Sequence, residues 1–178
     1  FPLIANQKST AEGIRIWSAA CSSGEEPFSI ALTAISAFKT TTNLNVHILA
    51  TDISAKVLNI AQNAIYADTA LAKFPNWIHH NFYDPISEEV KSQIPFLHKE
   101  QNYLRLKKEI RDLIKFKRFN LMSERYPLKS KVDIIFCRNA MIYFDDEARN
   151  YTINKFYDHL KDNGLLFVGH SENLLHHT

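Results

Sequence analysis

In open α/β sheets ligands sit beyond the carboxyl ends of the strands, and in this chain the clusters of reactive side chains each follow an apolar run with strand character. The clusters are Ala19 to Glu26, Asp52, Asn120-Leu121, Arg138-Asn139 and Gly169-His170-Ser171-Glu172. Asp52 closes the run Val46-His47-Ile48-Leu49-Ala50-Thr51. That is where a carboxylate accepts hydrogen bonds from ribose hydroxyls, so a nucleoside-containing ligand is expected.

Charge narrows the choice of nucleoside. A pyrophosphate cofactor wants a glycine-rich turn opening on bare helix N–H groups. The turn here has a single glycine, Gly24, followed by Glu25 and Glu26, which suit the positive end of a helix and would repel a diphosphate. S-adenosylmethionine instead brings a sulfonium and an ammonium against one carboxylate, and an acidic turn meets that charge. The alternative for the glutamates is that they only stabilise the first helical turn, worth about 0.3–1 kcal/mol per charge.

The elements that must position these residues are legible in outline. Ile14, Ile16 and Trp17 begin a strand that ends in Ser18-Ala19-Ala20. From Phe28, the apolar spacing of Ala31, Leu32, Ile35 and Phe38 predicts a helix, with Pro27 in its first turn. The strand ending at Asp52 precedes a second helix, capped by Ser54 and carrying Val57, Leu58, Ile60 and Ala61. Ile114 to Phe119 alternates as a half-exposed strand does, and Val132 to Cys137 is a nearly continuous apolar strand. A helix with Ala148, Ile153, Phe156, Tyr157 and Leu160 comes next, then a turn at Asp162-Asn163-Gly164 and a last strand over Leu165–Val168. Between Ala67 and Leu113 Pro75, Pro85 and Pro95 break the pattern, and short helices with a small antiparallel insert are expected. Alternating strands and helices predict an α/β, doubly wound, mainly parallel sheet with helices on both faces.

With 178 residues, 46% of them hydrophobic and 22% charged, the chain is sized for one packed domain and excludes a disordered tail or a collagen-like repeat. A formal charge of +2 names no partner. No apolar run approaches the roughly 20 residues of a membrane span, so no membrane insertion is expected. Cys21 and Cys137 form no CxxC pair, and reduced, buried thiols of a cytoplasmic protein are expected. His79-His80 and His176-His177 are adjacent pairs, not i, i+4 ligands on one helix face, so no metal is inferred. His170-Ser171-Glu172 lie on consecutive positions and cannot converge as a hydrolase triad.

The segments Trp17 to Ser29, Ala50-Thr51-Asp52-Ile53, Asn120-Leu121, Ile135 to Asp145 and Gly169 to Asn173 resemble, in order and over nearly the whole chain, the successive motifs of chemotaxis-receptor methyltransferases, the CheR family. The resemblance implies a seven-stranded methyltransferase sheet that binds S-adenosylmethionine, releases S-adenosylhomocysteine, and methylates glutamates in the cytoplasmic domain of a chemoreceptor. It implies that Glu26, with Glu25 and the Ala19-Ala20 backbone, faces the methionine part of the cofactor. By the same resemblance Asp52, with Ile53 beside it, holds the ribose, Asn120-Leu121 flank the adenine, and Arg138-Asn139 line the pocket. Tyr143 resembles the family tyrosine placed near the transferred methyl group.

A glutamate substrate is already an anion at neutral pH, so in-line attack on a sulfonium methyl needs no strong base. Tyr143 is therefore expected to position and hydrogen-bond. Family members usually carry an N-terminal helical domain and an Asn-x-Thr-x-Phe-Phe-Arg segment whose arginine orients the substrate. Phe1-Pro2-Leu3-Ile4 resembles the residues just beyond that segment, which leaves residues 1–178 as the cofactor-binding domain alone, with an insert at about 67–113. Some members use a small β subdomain to grip a receptor pentapeptide, and Tyr103 to Arg111 resembles its last strand and turn. The alternatives are a non-catalytic cofactor-sensing module, or a methyltransferase for another substrate such as RNA, steered by the basic stretch Lys107 to Arg118.

Overall fold

The computed structural model describes residues 13–37, 45–71, 76–98 and 100–172. Phe1 to Ile4, Phe38, Pro75, Asn173, the His176-His177 pair and the side chains of Trp77 and His79 lie outside the described residues.

Five strands form the main sheet: β1 (Ile14–Ala19), β2 (Val46–Asp52), β6 (Ile114–Arg118), β7 (Val132–Cys137) and β8 (Leu160–Val168). Their order is β6-β2-β1-β7-β8, and every neighbouring pair is parallel. The register brings Ala19 beside Thr51, Asp52 beside Arg118 and Cys137 beside Val168. The carboxyl ends therefore finish along one edge, and the residues just past them converge there.

Strand residues alternate between two faces. Ile14 and Ile16 point to a core with Val46, Ile48, Ala50, Ile114 and Ile134, closed by Phe28, Ala31 and Leu32 of helix α1 (Glu25–Ala37) and Leu58 of α2 (Ala55–Asn63). Trp17 and Ala19 point the other way, to Ile135, Cys137, Leu121 and Phe156, the last on helix α7 (Asp146–His159). Burial on both faces is why β7 reads as an unbroken apolar run rather than an alternating one. Ser54 caps α2 through a bond from the Val57 N–H to its Oγ, and Asp145 caps α7 through the Ala148 N–H.

The second sheet is a small antiparallel one, in the order β3-β5-β4, made of β3 (Ile65–Ala67), β4 (Tyr83–Pro85) and β5 (Tyr103–Leu106). Short helices join its strands: α3 (Asp68–Leu71), α4 (Asn76–Phe82), α5 (Glu88–Ser92) and, after β5, α6 (Lys108–Arg111). The antiparallel insert is as expected.

Two expectations need correction. Among the described residues the main sheet has five strands, not seven; after Val168 the described chain turns through Gly169 to Glu172 and supplies no further one. The last strand also begins at Leu160, not Leu165. Val132 pairs with Leu160 while Ile134 pairs with Leu165, so Asp162-Asn163-Gly164 is absorbed as an irregularity inside β8. Asn163 takes a left-handed φ of 63° there, which its short side chain tolerates.

Candidate functional site

The turn after β1 is the tightest part of the converging edge. Ala20, Ser22 and Gly24 all have positive φ, at 64°, 50° and 95°. Only Gly24 adopts this without a Cβ penalty, so the turn stores strain of order 1–2 kcal/mol at each of the other two positions. Gly24 is also sterically required. A Cβ there would lie 2.9 Å from the Ala61 Cβ and 3.0 Å from the Tyr66 hydroxyl.

Three amides of this turn are already committed. The Cys21 N–H donates to the Thr51 carbonyl at 2.8 Å, the Ser22 N–H to Asp52 Oδ2 at 2.9 Å, and the Gly24 N–H to the Cys21 carbonyl at 3.0 Å. A phosphate-cradling loop would aim such groups outward. Here they brace the turn and fix Asp52, whose other oxygen, Oδ1, accepts from the Ser54 N–H at 2.9 Å.

Beside Asp52 lies a cavity of about 530 Å3. Ala20, Ser22, Asp52, Ile53, Asn120, Leu121, Arg138, Asn139 and Tyr143 line it, together with Phe119, Ala140 and Phe144. Its volume suits a nucleoside-sized ligand. The apolar wall of Ile53, Phe119, Leu121 and Phe144 faces a few polar groups, the composition that an adenine and a ribose require. Ile53 is 56% exposed, a large apolar side chain left open at the cavity. Tyr143, on a single 3-10 turn (Met141–Tyr143), is 83% exposed.

Glu26 does not line the cavity but stands behind it. Its Oε1 accepts from the Ser18 hydroxyl at 2.8 Å, and Oε2 is 3.9 Å from Nη1 of the cavity residue Arg138. Burial pushes the Glu26 carboxyl above its usual range, the Ser18 bond and Arg138 pull it down, and Glu172 adds to the rise. Two further sequence expectations fall outside this cavity. Glu25, one residue and about 100° round the helix from Glu26, is exposed, accepts from the Ser23 hydroxyl and borders a separate 90 Å3 cavity with Tyr66 and Tyr83. Ala19 is fully buried in the core under Trp17.

Both thiols are free and buried, and burial raises both pKa values, that of Cys21 to about 12. They have the environment of packing residues, as expected. In the basic stretch, Lys108 pairs with Asp112 and the Arg118 Nε donates to the Ile53 carbonyl at 2.8 Å.

Sequence reasoning assigned no task to Glu172. In the structure its Oε1 accepts from the Met141 N–H at 2.8 Å, and its Oε2 accepts from the Asn139 N–H at 3.0 Å and from the Gly169 N–H. The available signal was a carboxylate three residues after a strand-ending glycine.

A parallel sheet in this order, with a nucleoside-sized cavity at its carboxyl edge and a carboxylate closing the second strand, defines a Rossmann-like α/β domain. The glycopeptide N-methyltransferase MtfA shares that fold, with a TM-score of 0.50 and 11% identity over 93% of this chain and 50% of its own. The family model described as CheR methyltransferase, SAM binding domain, matches residues 1–178, and the chain belongs to that family. It is 40% identical over 162 residues to the chemotaxis protein methyltransferase of Borreliella burgdorferi, covering 90% of this chain and 53% of that protein. It is 35% identical over 178 residues to the chemotaxis protein methyltransferase of Escherichia coli K12, covering 99% and 58%. The chain thus spans between about half and three fifths of the length of these relatives. Among the described residues, no helix is long and apolar enough to cross a membrane.

Proposed function

We propose that this chain is the cofactor-binding part of a cytoplasmic methyltransferase that esterifies glutamate side chains in the cytoplasmic domain of a chemoreceptor. The observation that carries the proposal is the Asp52 carboxylate facing an apolar wall in one cavity, in a chain of this family. Asp52, already held by two backbone N–H groups, has lone pairs left for ribose hydroxyls. Ile53, Phe119 and Leu121 would hold the adenine between apolar surfaces, with Asn120 at its edge. Arg138, Asn139 and the Ala20 backbone would meet the methionine end, with the Glu26 carboxylate behind Arg138 adding negative charge.

S-adenosylmethionine, when bound, supplies a methyl group on a positively charged sulfur. That methyl would pass to a glutamate oxygen, the new C–O bond forming as the C–S bond breaks with its pair left on sulfur, so that the products would be S-adenosylhomocysteine and a neutral ester. No proton moves, so the residues need only to orient and exclude water. Tyr143, open at the cavity mouth, would position the incoming carboxylate through its hydroxyl.

Calorimetric titration of the chain with S-adenosylhomocysteine, against NADH as comparison, tests this. Micromolar binding of the first and none of the second is expected. A folded chain that binds neither, or prefers NADH, overturns the proposal.

A second expected result concerns Glu26. Because folding raises its pKa, the folded state holds the proton more tightly than the unfolded one. Stability therefore falls as pH rises from the ordinary 4.5 through the raised value, and at neutral pH the ionised carboxylate costs stability. Glu26→Gln, which keeps an acceptor for Ser18, is expected to melt at a higher temperature than the unaltered chain at pH 7. The gain should vanish near pH 4, while the cationic S-adenosylmethionine binds more weakly. Scanning calorimetry at both pH values checks it, and an unchanged or lower midpoint at pH 7 contradicts it.

A further inference from the structure

We propose that Glu172 is a positioning residue for the cavity: its carboxylate clamps the segment Arg138 to Tyr143 against the end of β8 and so sets the wall on which the cofactor rests. The inference builds on the cofactor reading above and adds a residue that none of the cavity-lining positions includes.

The geometry is that of an anion nest filled by the chain itself. Asn139 adopts a left-handed φ of 60°, which turns its own N–H and that of Met141 toward one acceptor. Glu172 answers both, through Oε2 at 3.0 Å and Oε1 at 2.8 Å, and Oε2 also takes the Gly169 N–H. The Glu172 N–H returns a bond to the Gly169 carbonyl at 3.0 Å, which closes the turn that carries the carboxylate. Three backbone donors are met by two oxygens of one side chain, tying the loop after β7 to the loop after β8.

Gly169 gives this arrangement its second, independent mark. A Cβ at that position would lie 2.7 Å from Glu172 Oε2, 2.9 Å from Asn139 Oδ1 and 3.0 Å from the Asn139 N. The clamp closes only because that position is bare. Strand pairing of Cys137 with Val168 sets the two loops side by side, but nothing in the pairing fixes the loop beyond Cys137. The clamp does so, and the segment it fixes carries Arg138, Asn139 and Tyr143 into the cavity.

Glu172→Gln preserves shape but turns an amide nitrogen toward a backbone N–H, and Gly169→Ala drives a methyl group into the same carboxylate. Each is expected to weaken S-adenosylhomocysteine binding about tenfold in the whole chain, measured by calorimetry where near-ultraviolet circular dichroism shows it folded. Leu106→Val, a change at a buried residue of the insert that belongs to the core on the other face of the main sheet, provides the control: it should lower the melting point and leave affinity unchanged. A Glu172 that serves stability alone would behave as that control does, and this would overturn the proposal. Failure of the unaltered chain to bind would instead defeat the cofactor reading.

Should both variants fail to fold, hydrogen exchange on the unaltered chain decides. The Asn139 and Met141 amides, though in a loop, should be protected; free exchange of both would show that the clamp is not formed.

Discussion

Asp52→Ala is expected to bind S-adenosylhomocysteine roughly 5- to 150-fold more weakly than the unaltered chain, the equivalent of about 1–3 kcal/mol for charged hydrogen bonds lost. Two effects contribute, and they can be separated. Asp52 accepts from the Ser22 and Ser54 N–H groups, so its removal loosens the strained turn after β1 as well as the entry to α2. It also removes the acceptor expected to meet the ribose. A dideoxyribose analogue of the ligand distinguishes the two. If Asp52 meets the hydroxyls, the unaltered chain prefers the hydroxylated ligand and Asp52→Ala does not. If the two chains discriminate equally, the ribose lies elsewhere and Asp52 acts only as a brace.

The bracing role and the expected ribose role differ in how readable the sequence made them. Asp52 was identifiable because β2 is a long apolar run with an abrupt polar end, and because the edge of a parallel sheet gathers the residues just past its strands. Val132 to Cys137 and the Ser54 cap were legible for the same reason: their signals are local, in residue type and period. The bracing of Asp52 by Ser22 was not, since it depends on a left-handed φ at Ala20 and Ser22, where no glycine announces it. The strands of the insert span only three or four residues, too few for a period to show. Asp162-Asn163-Gly164 has the composition of a turn, yet pairing with β7 draws it into a strand. Charge alone does not tell Glu25 from Glu26, and the resemblance put Glu26 first; the helix rotation sends Glu26 toward Arg138 and Glu25 to solvent. Glu172 escaped because two of its three partners are backbone amides about 30 residues away, which no side-chain motif records.

Trp17→Ala is expected to cost about 3–5 kcal/mol of stability, a large share of the 5–15 kcal/mol that holds a typical domain together. Trp17 is fully buried, and its ring meets Phe156, Tyr126 and Phe119 edge-on, at centroid distances of 5.3, 5.6 and 6.2 Å. Its Nε1 donates to the Thr51 Oγ1 at 3.0 Å, so truncation takes the indole donor from a hydroxyl that is 1% exposed. The midpoint should fall by about 6–20 °C, at about 2–4 °C per kcal/mol for this chain length. Trp17→Phe fills most of the space and loses chiefly the N–H, so its loss should be the smaller. The site is coupled to this residue through Phe119, which packs on the indole and also walls the cavity. Saturating S-adenosylhomocysteine should therefore recover less stability in Trp17→Ala than in the unaltered chain, because the recovery scales with affinity. Equal recovery in both would show that the cavity wall stands without the indole beneath it, and a loss below about 1 kcal/mol would show that the core repacks around the gap.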